Sequence, residues 1–393
     1  MTEESWSVKT TPGISSYASH PTEAGTSIQP LLNFAIETVL HAEGVTDLSG
    51  VPVFLGATAG MRMLPPATIT SILSSIQTTV QAAGFMYNPE WIRVLSGEEE
   101  GTFGWVAANS LLGTLTNSST ETVGALDLGG ASTQVTFHPD ESILAGFFDL
   151  NIASSQHRLY THSYLYYGAD QARLRLFADL IAAAAAAAGS ANGAAVVNPC
   201  FPTGYTAAAD STHPTVLFTG SSDWEACLAA ATKLITDYQP LTPSSPAGVQ
   251  CLHSDHQRCT FNGVYQPQVP PNMKLLAMSS FYFDWKYFGL TTGMDQPSSD
   301  LNALAVAAKK VCSMNSEGQA AYNNSLAHPG TLLVCCCPLL SRFFVFLFFC
   351  VGPSLFFLTF CFLFCSQSSF LLQLLFRCGL FTCFAAHRVW FTN

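Results

Sequence analysis

Charge is scarce in this 393-residue chain: Asp, Glu, Lys and Arg together make up 10% of it, with 15 basic residues against 26 acidic ones. From Thr331 onward there is no Asp, Glu or Lys, and the only charged residues are Arg342, Arg377 and Arg388. The rest therefore holds 12 basic and 26 acidic residues, net −14. So acidic a body lacks the basic face that a phosphate backbone demands, which excludes nucleic acid as a partner. The opening Met1-Thr-Glu-Glu-Ser-Trp-Ser-Val-Lys9 has neither the basic start nor the apolar run of a signal peptide. Cysteine is also sparse in the body, at positions 200, 227, 251, 259 and 312, while eight more crowd between 335 and 383. At this length the chain has room for one large core or for two lobes.

Along the chain, helical and extended patterns alternate. Leu32, Ala35, Ile36 and Val39 form one helical stripe closed by Gly44, and Val51–Gly56 reads as a buried strand. After Pro65-Pro66, a second stripe of Ile69, Ile72, Leu73, Ile76 and Val80 ends near Gly84. A short strand at Ile92–Ser96 leads into a helix over Glu100–Leu112. Ala182–Ala188 and Asn302–Val311 read as helices, and Pro240–Pro246 as a surface loop. Such alternation predicts an α/β architecture. Phe343–Cys365 is uncharged and long enough to cross a bilayer, with Gly352-Pro353 interrupting it. It reads either as a membrane anchor or as translated non-coding sequence, which also yields Phe, Leu and Cys runs with almost no acids.

The chemistry is concentrated in Ala125-Leu-Asp-Leu-Gly-Gly-Ala-Ser-Thr-Gln-Val-Thr-Phe137, a strand, a tight turn and a second strand. Gly129 and Gly130 leave no Cβ in the way of an anion, and turn N–H groups with the Ser132 and Thr133 hydroxyls suit a phosphate. Asp127, at the exit of the buried strand, suits a divalent cation or its water. The bland alternative is a plain hairpin. Two other stretches fit the same site: the strand and small-residue turn Val51–Gly56 with Ala57-Thr-Ala-Gly-Met-Arg62, and Gly97-Glu-Glu-Glu-Gly-Thr-Phe-Gly-Trp105, which opens a helix.

With these three in order, the chain resembles the ecto-nucleoside triphosphate diphosphohydrolase (apyrase) family of the actin-like ATPase superfamily, over roughly Lys9 to Tyr322. The resemblance implies two ribonuclease-H-like α/β lobes with an active-site cleft between them. The divisions are 1–125 (first lobe), 126–328 (second lobe) and 329–393 (the Phe/Cys/Leu-rich tail). It implies hydrolysis of nucleoside tri- and diphosphates by direct attack of water, with Ca²⁺ or Mg²⁺. Glu100 is then the general base, its alternative being a carboxylate that merely charges a helix N-terminus like Glu98 and Glu99. Ser132 and Gln134 hold the water, Gly129, Gly130 and Ala131 offer N–H groups to the terminal phosphate, and Thr58 and Ala59 form the opposing phosphate turn. Asp127 organises the metal through its hydration shell. Phe283, in an aromatic stretch resembling the family's base-stacking strand, stacks on the base or is ordinary core. Arg62 is a phosphate clamp or a structural ion pair, and Trp105 touches the metal's water shell or packs.

By resemblance Cys200 pairs with Cys227, and Cys312 is left an orphan. Cys251–Cys259 is a short disulfide loop by resemblance, though Cys251, His253, His256 and Cys259 have near-zinc spacing. Disulfides, and the sequons at Asn117 and Asn323, imply a membrane-bound, secretory or extracellular setting. Three departures stand out. Ala169 follows Tyr-Gly where many relatives have a basic residue. The family's first Asp-x-Gly-Ser-Ser motif is missing, as is its last Gly-Trp-x-x-Gly segment. One lost donor set commonly costs ~2.7–4 kcal/mol of barrier lowering, so an inactive chain that at most binds nucleotide is the first alternative. A Golgi-type nucleoside diphosphatase is the second, disfavoured by Met61 and Phe103-Gly-Trp105. A sugar kinase or exopolyphosphatase is the third, and the Glu100-Gly-Thr-Phe-Gly-Trp105 run fits water activation better.

Overall fold

A computed structural model describes residues 8–115, 122–152, 155–188, 195–210, 213–236, 260–290, 301–325 and 389–392. Its strands are β1 (Val53–Ala57), β2 (Ile92–Val94), β3 (Gly124–Leu128), β4 (Ser132–Phe137), β5 (Phe147–Ile152), β6 (Ser155–Leu165), β7 (Ala195–Asn198), β8 (Thr206–Ala208), β9 (Leu217–Gly220), β10 (Leu275–Ser279) and β11 (Val389–Thr392). The α-helices are α1 (Ala24–Ser27), α2 (Gln29–Phe34), α3 (Ala59–Arg62), α4 (Pro66–Ala82), α5 (Gly97–Leu111), α6 (Ala169–Ala188), α7 (Trp224–Thr236), α8 (Ser280–Tyr287), α9 (Leu301–Cys312) and α10 (Ser316–Ser325).

Three sheets result. β1 lies between β2 and β11, parallel to both. The largest sheet runs β10-β3-β4-β6-β5, parallel only between β10 and β3. The third is β7-β9-β8. One apolar core gathers β1, α1, α2 and α4; another gathers β3, β4, β6 and β10 with α6, α7, α8 and α9.

The regular stripes fold as read. Ile72, Ile76 and Val80 of α4 are buried, and the chain leaves that helix through Gly84, whose φ of +84° is left-handed and suits glycine. The first stripe does so through Leu32, Ala35 and Ile36 but departs at its last position. After α2 the chain winds as a π-helix over Ala35–Leu40, and Leu40, not Val39, is buried. One extra residue per turn shifts the inward position by one, which a 3.6-residue period does not foresee. A second correction concerns Ser279–Trp285, expected as an aromatic strand. The strand ends at Ser279, and α8 follows, burying Phe281, Trp285 and Phe288 at helical spacing.

Cys200 and Cys227 form a disulfide, and Cys312 is buried in the second core. Cys251, Cys259, the Asn117 sequon and the 343–365 run lie outside the described residues. Among the described residues, no helix is long and apolar enough to cross a membrane.

The contact that positions the site is α5 against β4 and β6. Ser96 caps α5 and Glu99 closes the capping box, so the helix begins at Gly97. Gly97 and Gly101 face the sheet at very short range. A Cβ on Gly97 would lie 2.2 Å from Cβ of Ser163, and one on Gly101 2.6 Å from Thr136 Oγ1 and 2.7 Å from Thr161 Oγ1. A Cβ on Gly104 would meet only the flexible end of Met278, at 3.4 Å. Gly101→Ala is therefore expected to destabilise the protein by about 1–3 kcal/mol through overpacking. Gly104→Ala, which improves helix propensity in open space, is expected to be neutral or to stabilise by up to about 1 kcal/mol. Equal costs for both in denaturant unfolding would refute the close-packing account.

Candidate active site

The β3–β4 hairpin brings its residues to one place through strand alternation. Asp127 pairs directly with Gln134, and Gln134 in turn with Ser163 of β6, so these three side chains share a sheet face with Ser132 and Thr136. That is the face under α5. The opposite face of β4 sends Val135 and Phe137 into the second core, so every residue of the strand is buried.

Glu100 projects from the first turn of α5 over this polar face. Its Oε2 accepts from Arg62 Nη2 at 2.8 Å and lies 3.3 Å from Gln134 Nε2. Gln134 Nε2 donates to Ser132 Oγ at 2.6 Å and to Ser163 Oγ at 2.8 Å. Arg62 Nη2 donates to the same two hydroxyls, at 3.1 and 3.4 Å, while Nη1 holds the Leu95 carbonyl at 3.1 Å. Arg62 thus reaches from α3 onto the five-stranded sheet and pairs with Glu100. The neighbouring Glu99 pairs with Arg93 at 2.7 Å and caps the helix, which holds its carboxyl low.

The two turns read as phosphate loops share a backbone device. The carbonyls of Gly129, Gly130 and Ala131 accept from the N–H groups of Ala169 (2.8 Å), Asp170 (2.9 Å) and Tyr166 (2.8 Å), at and just before the start of α6. In a trans peptide C=O and N–H point opposite ways, so the N–H groups of Gly130 and Ala131 face away from α6. The Thr58 carbonyl likewise turns inward, accepting from Met61 at 3.0 Å and Arg62 at 3.3 Å, which sends the Ala59 N–H outward from α3.

Asp127 sits one strand over from Gln134. Ser279 hydrogen-bonds its carboxyl, yet burial pushes the group up, and Oδ1 is buried with no hydrogen-bond partner. Among the described residues no three His, Cys, Asp or Glu side chains cluster as metal ligands. One orphaned carboxylate oxygen fits a hydrated cation shared with a phosphate rather than a closed protein cage. Trp105 is fully buried against His157, their rings 5.2 Å apart, and its indole Nε1 has no hydrogen-bond partner. Phe283 lies half-buried in the first turn of α8, beside Tyr282. Ser163 was not foreseen from the sequence, and the signal that marked it is faint: Thr161 and Ser163 alternate as Ser132, Gln134 and Thr136 do.

The α/β fold has a counterpart in a solved structure of nucleoside triphosphate hydrolases from Neospora caninum. The similarity has a TM-score of 0.56 at 16% identity, covering 85% of this chain and 72% of that one. Residues 2–328 match the GDA1/CD39 (nucleoside phosphatase) family, and the chain belongs to that family. It is 33% identical over 336 residues to ectonucleoside triphosphate diphosphohydrolase 2 of Gallus gallus, covering 77% of this chain and 61% of that protein. Probable apyrase 4 of Arabidopsis thaliana is 30% identical, with 78% and 58% covered. The chain thus spans about three fifths of the length of these relatives.

Burial pushes the Glu100 carboxyl up to about 7; the charge of Arg62 opposes this, negative Asp127 adds to it, and the Arg62 hydrogen bond pulls it back. Because the folded value lies above the ordinary 4.5, the group favours folding at low pH, and that contribution is lost as pH rises through 7. An NMR titration of the Glu100 carboxyl in metal-free protein is expected to have its midpoint near 7. Arg62→Ala should move that midpoint up and Asp127→Asn should move it down. A midpoint at 4.5 that neither substitution shifts would show that Glu100 is solvated.

Proposed function

We propose that this chain hydrolyses nucleoside tri- and diphosphates to lower phosphates and orthophosphate. Water attacks the terminal phosphorus directly, with Glu100 as general base. The observation that supports this reading most is a buried, raised carboxylate beside Gln134, which itself donates to Ser132, one residue from the outward N–H of Ala131. A base with its titration near neutrality both accepts a proton readily and is largely ionised just above pH 7. Gln134 fixes the second point of the water. The N–H groups of Gly130 and Ala131 on one side, and of Ala59 beside Thr58 on the other, hold the phosphate oxygens. Little covalent chemistry is asked of the protein, since positioning and charge neutralisation supply most of the catalysis of phosphoryl transfer.

Asp127 is the residue to hold Ca²⁺ or Mg²⁺ through water, and its unpartnered Oδ1 fits that role. When bound, such an ion neutralises charge on the phosphate oxygens. Phe283 is the ring assigned to the nucleobase. The lobes are taken as 1–125 and 126–328, with α5 of the first lying on the sheet of the second. The Cys200–Cys227 disulfide and the ecto-enzyme names of the relatives support a membrane-bound, secreted or extracellular setting.

Orthophosphate release from ATP, ADP and GDP, with Ca²⁺ or Mg²⁺ present and then chelated, tests the reading. Glu100→Gln is expected to lower kcat by ~10²–10⁴-fold while nucleotide binding persists. Unchanged turnover in that variant would remove Glu100 from the role of base.

A further inference from the structure

We propose that Ser163 is a positioning residue for this site: it brackets the Gln134 amide nitrogen from β6 and thereby stops the amide turning, holding its oxygen toward the attacking water. The proposal rests on the hydrolytic reading above, and its argument is one of donors and acceptors. The Gln134 amide has two N–H bonds. Nε2 lies within reach of three acceptors, and the two shortest contacts, to Ser132 Oγ at 2.6 Å and Ser163 Oγ at 2.8 Å, take both N–H bonds ahead of Glu100 Oε2 at 3.3 Å. Oε1 of the same amide is buried and has no hydrogen-bond partner. Gln134 itself is 1% exposed, so bulk water does not satisfy that oxygen. An orphaned buried acceptor is costly, and one at a functional position is explained by a ligand that completes it. Here the completing group is the water to be activated: one of its hydrogens goes to Glu100 and the other to Oε1.

The second hydroxyl makes this orientation hold. A hydroxyl meets either amide atom, so Glu100 Oε2, 3.3 Å from Nε2, selects the nitrogen, and Ser163 adds the second anchor that stops the amide turning about its last torsion. Ser163 is the directly opposed residue across the β4–β6 ladder, so backbone pairing, not a mobile loop, sets its place. Its size is also fixed, because the α5 backbone at Gly97 passes so near Ser163 Cβ that a larger side chain would collide with the helix. Ser163 Oγ also accepts from Arg62 Nη2 at 3.4 Å, a longer contact than that to Gln134.

Ser163→Ala removes the oxygen and keeps the Cβ, so α5 stays seated. The full chain carrying it is expected to lose roughly 3- to 10-fold in kcat, the worth of one hydrogen bond, with KM unchanged. In the Gln134→Ala background the same substitution should cost nothing, while in the Arg62→Ala background its cost should persist. The side-chain NH₂ signals of Gln134, followed by NMR without nucleotide, give a readout apart from turnover. In wild type they should be two separate, slowly exchanging lines, and in Ser163→Ala they should shift and broaden. Unchanged Gln134 signals, or a full cost retained in the Gln134→Ala background, would overturn the proposal. Absence of phosphate release from wild type, with the NMR shift still present, would instead refute the hydrolytic reading and leave the amide geometry standing.

Discussion

A helix backbone pressed against a sheet is the constraint from which the site follows. Two glycines one turn apart, Gly97 and Gly101, let α5 approach β4 and β6 closer than any residue with a Cβ allows. The sheet answers with short polar side chains: Thr136, Thr161 and Ser163 lie beneath. Glu100, between those glycines on the rim of the contact, is thereby carried within hydrogen-bond reach of Gln134 and shielded from most of the solvent. A conventional interface of Leu and Val would stand the helix off by an extra layer of side chains. It would leave the carboxylate in water, where it titrates like any other.

Electrostatics then act on a group already made sensitive by burial. An acidic chain with a shielded Glu near a shielded Asp has two reasons to keep Glu100 protonated, and Arg62 is the countervailing charge. Buried ion pairs rarely add net stability, because desolvation offsets the Coulomb gain. The Arg62–Glu100 pair is better understood as a tether. Its arginine comes from the turn after β1 and its carboxylate from α5, and the same guanidinium touches hydroxyls on β4 and β6. One side chain therefore sets the distance between the two turns that carry outward N–H groups.

Much of this was legible in the sequence, and the reasons differ by element. The hairpin around Gly129-Gly130 was legible because strand alternation, a paired glycine break and a lone Asp coincide within thirteen residues. Helix α4 was legible because a single unbroken period runs its length. Leu40 was not, since a π turn changes the period midway and leaves no compositional mark. The aromatic run of α8 misled because Phe, Tyr and Trp favour strands locally, while the fold decides by which of them can reach the core; Phe281, Trp285 and Phe288 do so only as a helix. Ser163 was invisible for a further reason. Its role comes from the residue opposite it across a ladder, and pairing register between distant segments is not written in local pattern.

The hydroxyls also narrow what Ser132 can do. An hydroxyl has two acceptor sites and one donor. In the ligand-free arrangement Ser132 Oγ accepts from Gln134 Nε2 and from Arg62 Nη2, so both acceptor sites are taken and only its proton is unspent. That proton can go to an oxygen with a free lone pair, whether of a water or of a phosphate. Gln134 stands in the opposite condition, its nitrogen saturated and its oxygen empty. Two residues that the motif groups as holders of the same water thus differ in what they offer it, Ser132 a proton and Gln134 a lone pair. On the hydrolytic reading proposed above, Ser132 serves as a donor beside Gly130 and Ala131, and Gln134 as an acceptor beside Glu100.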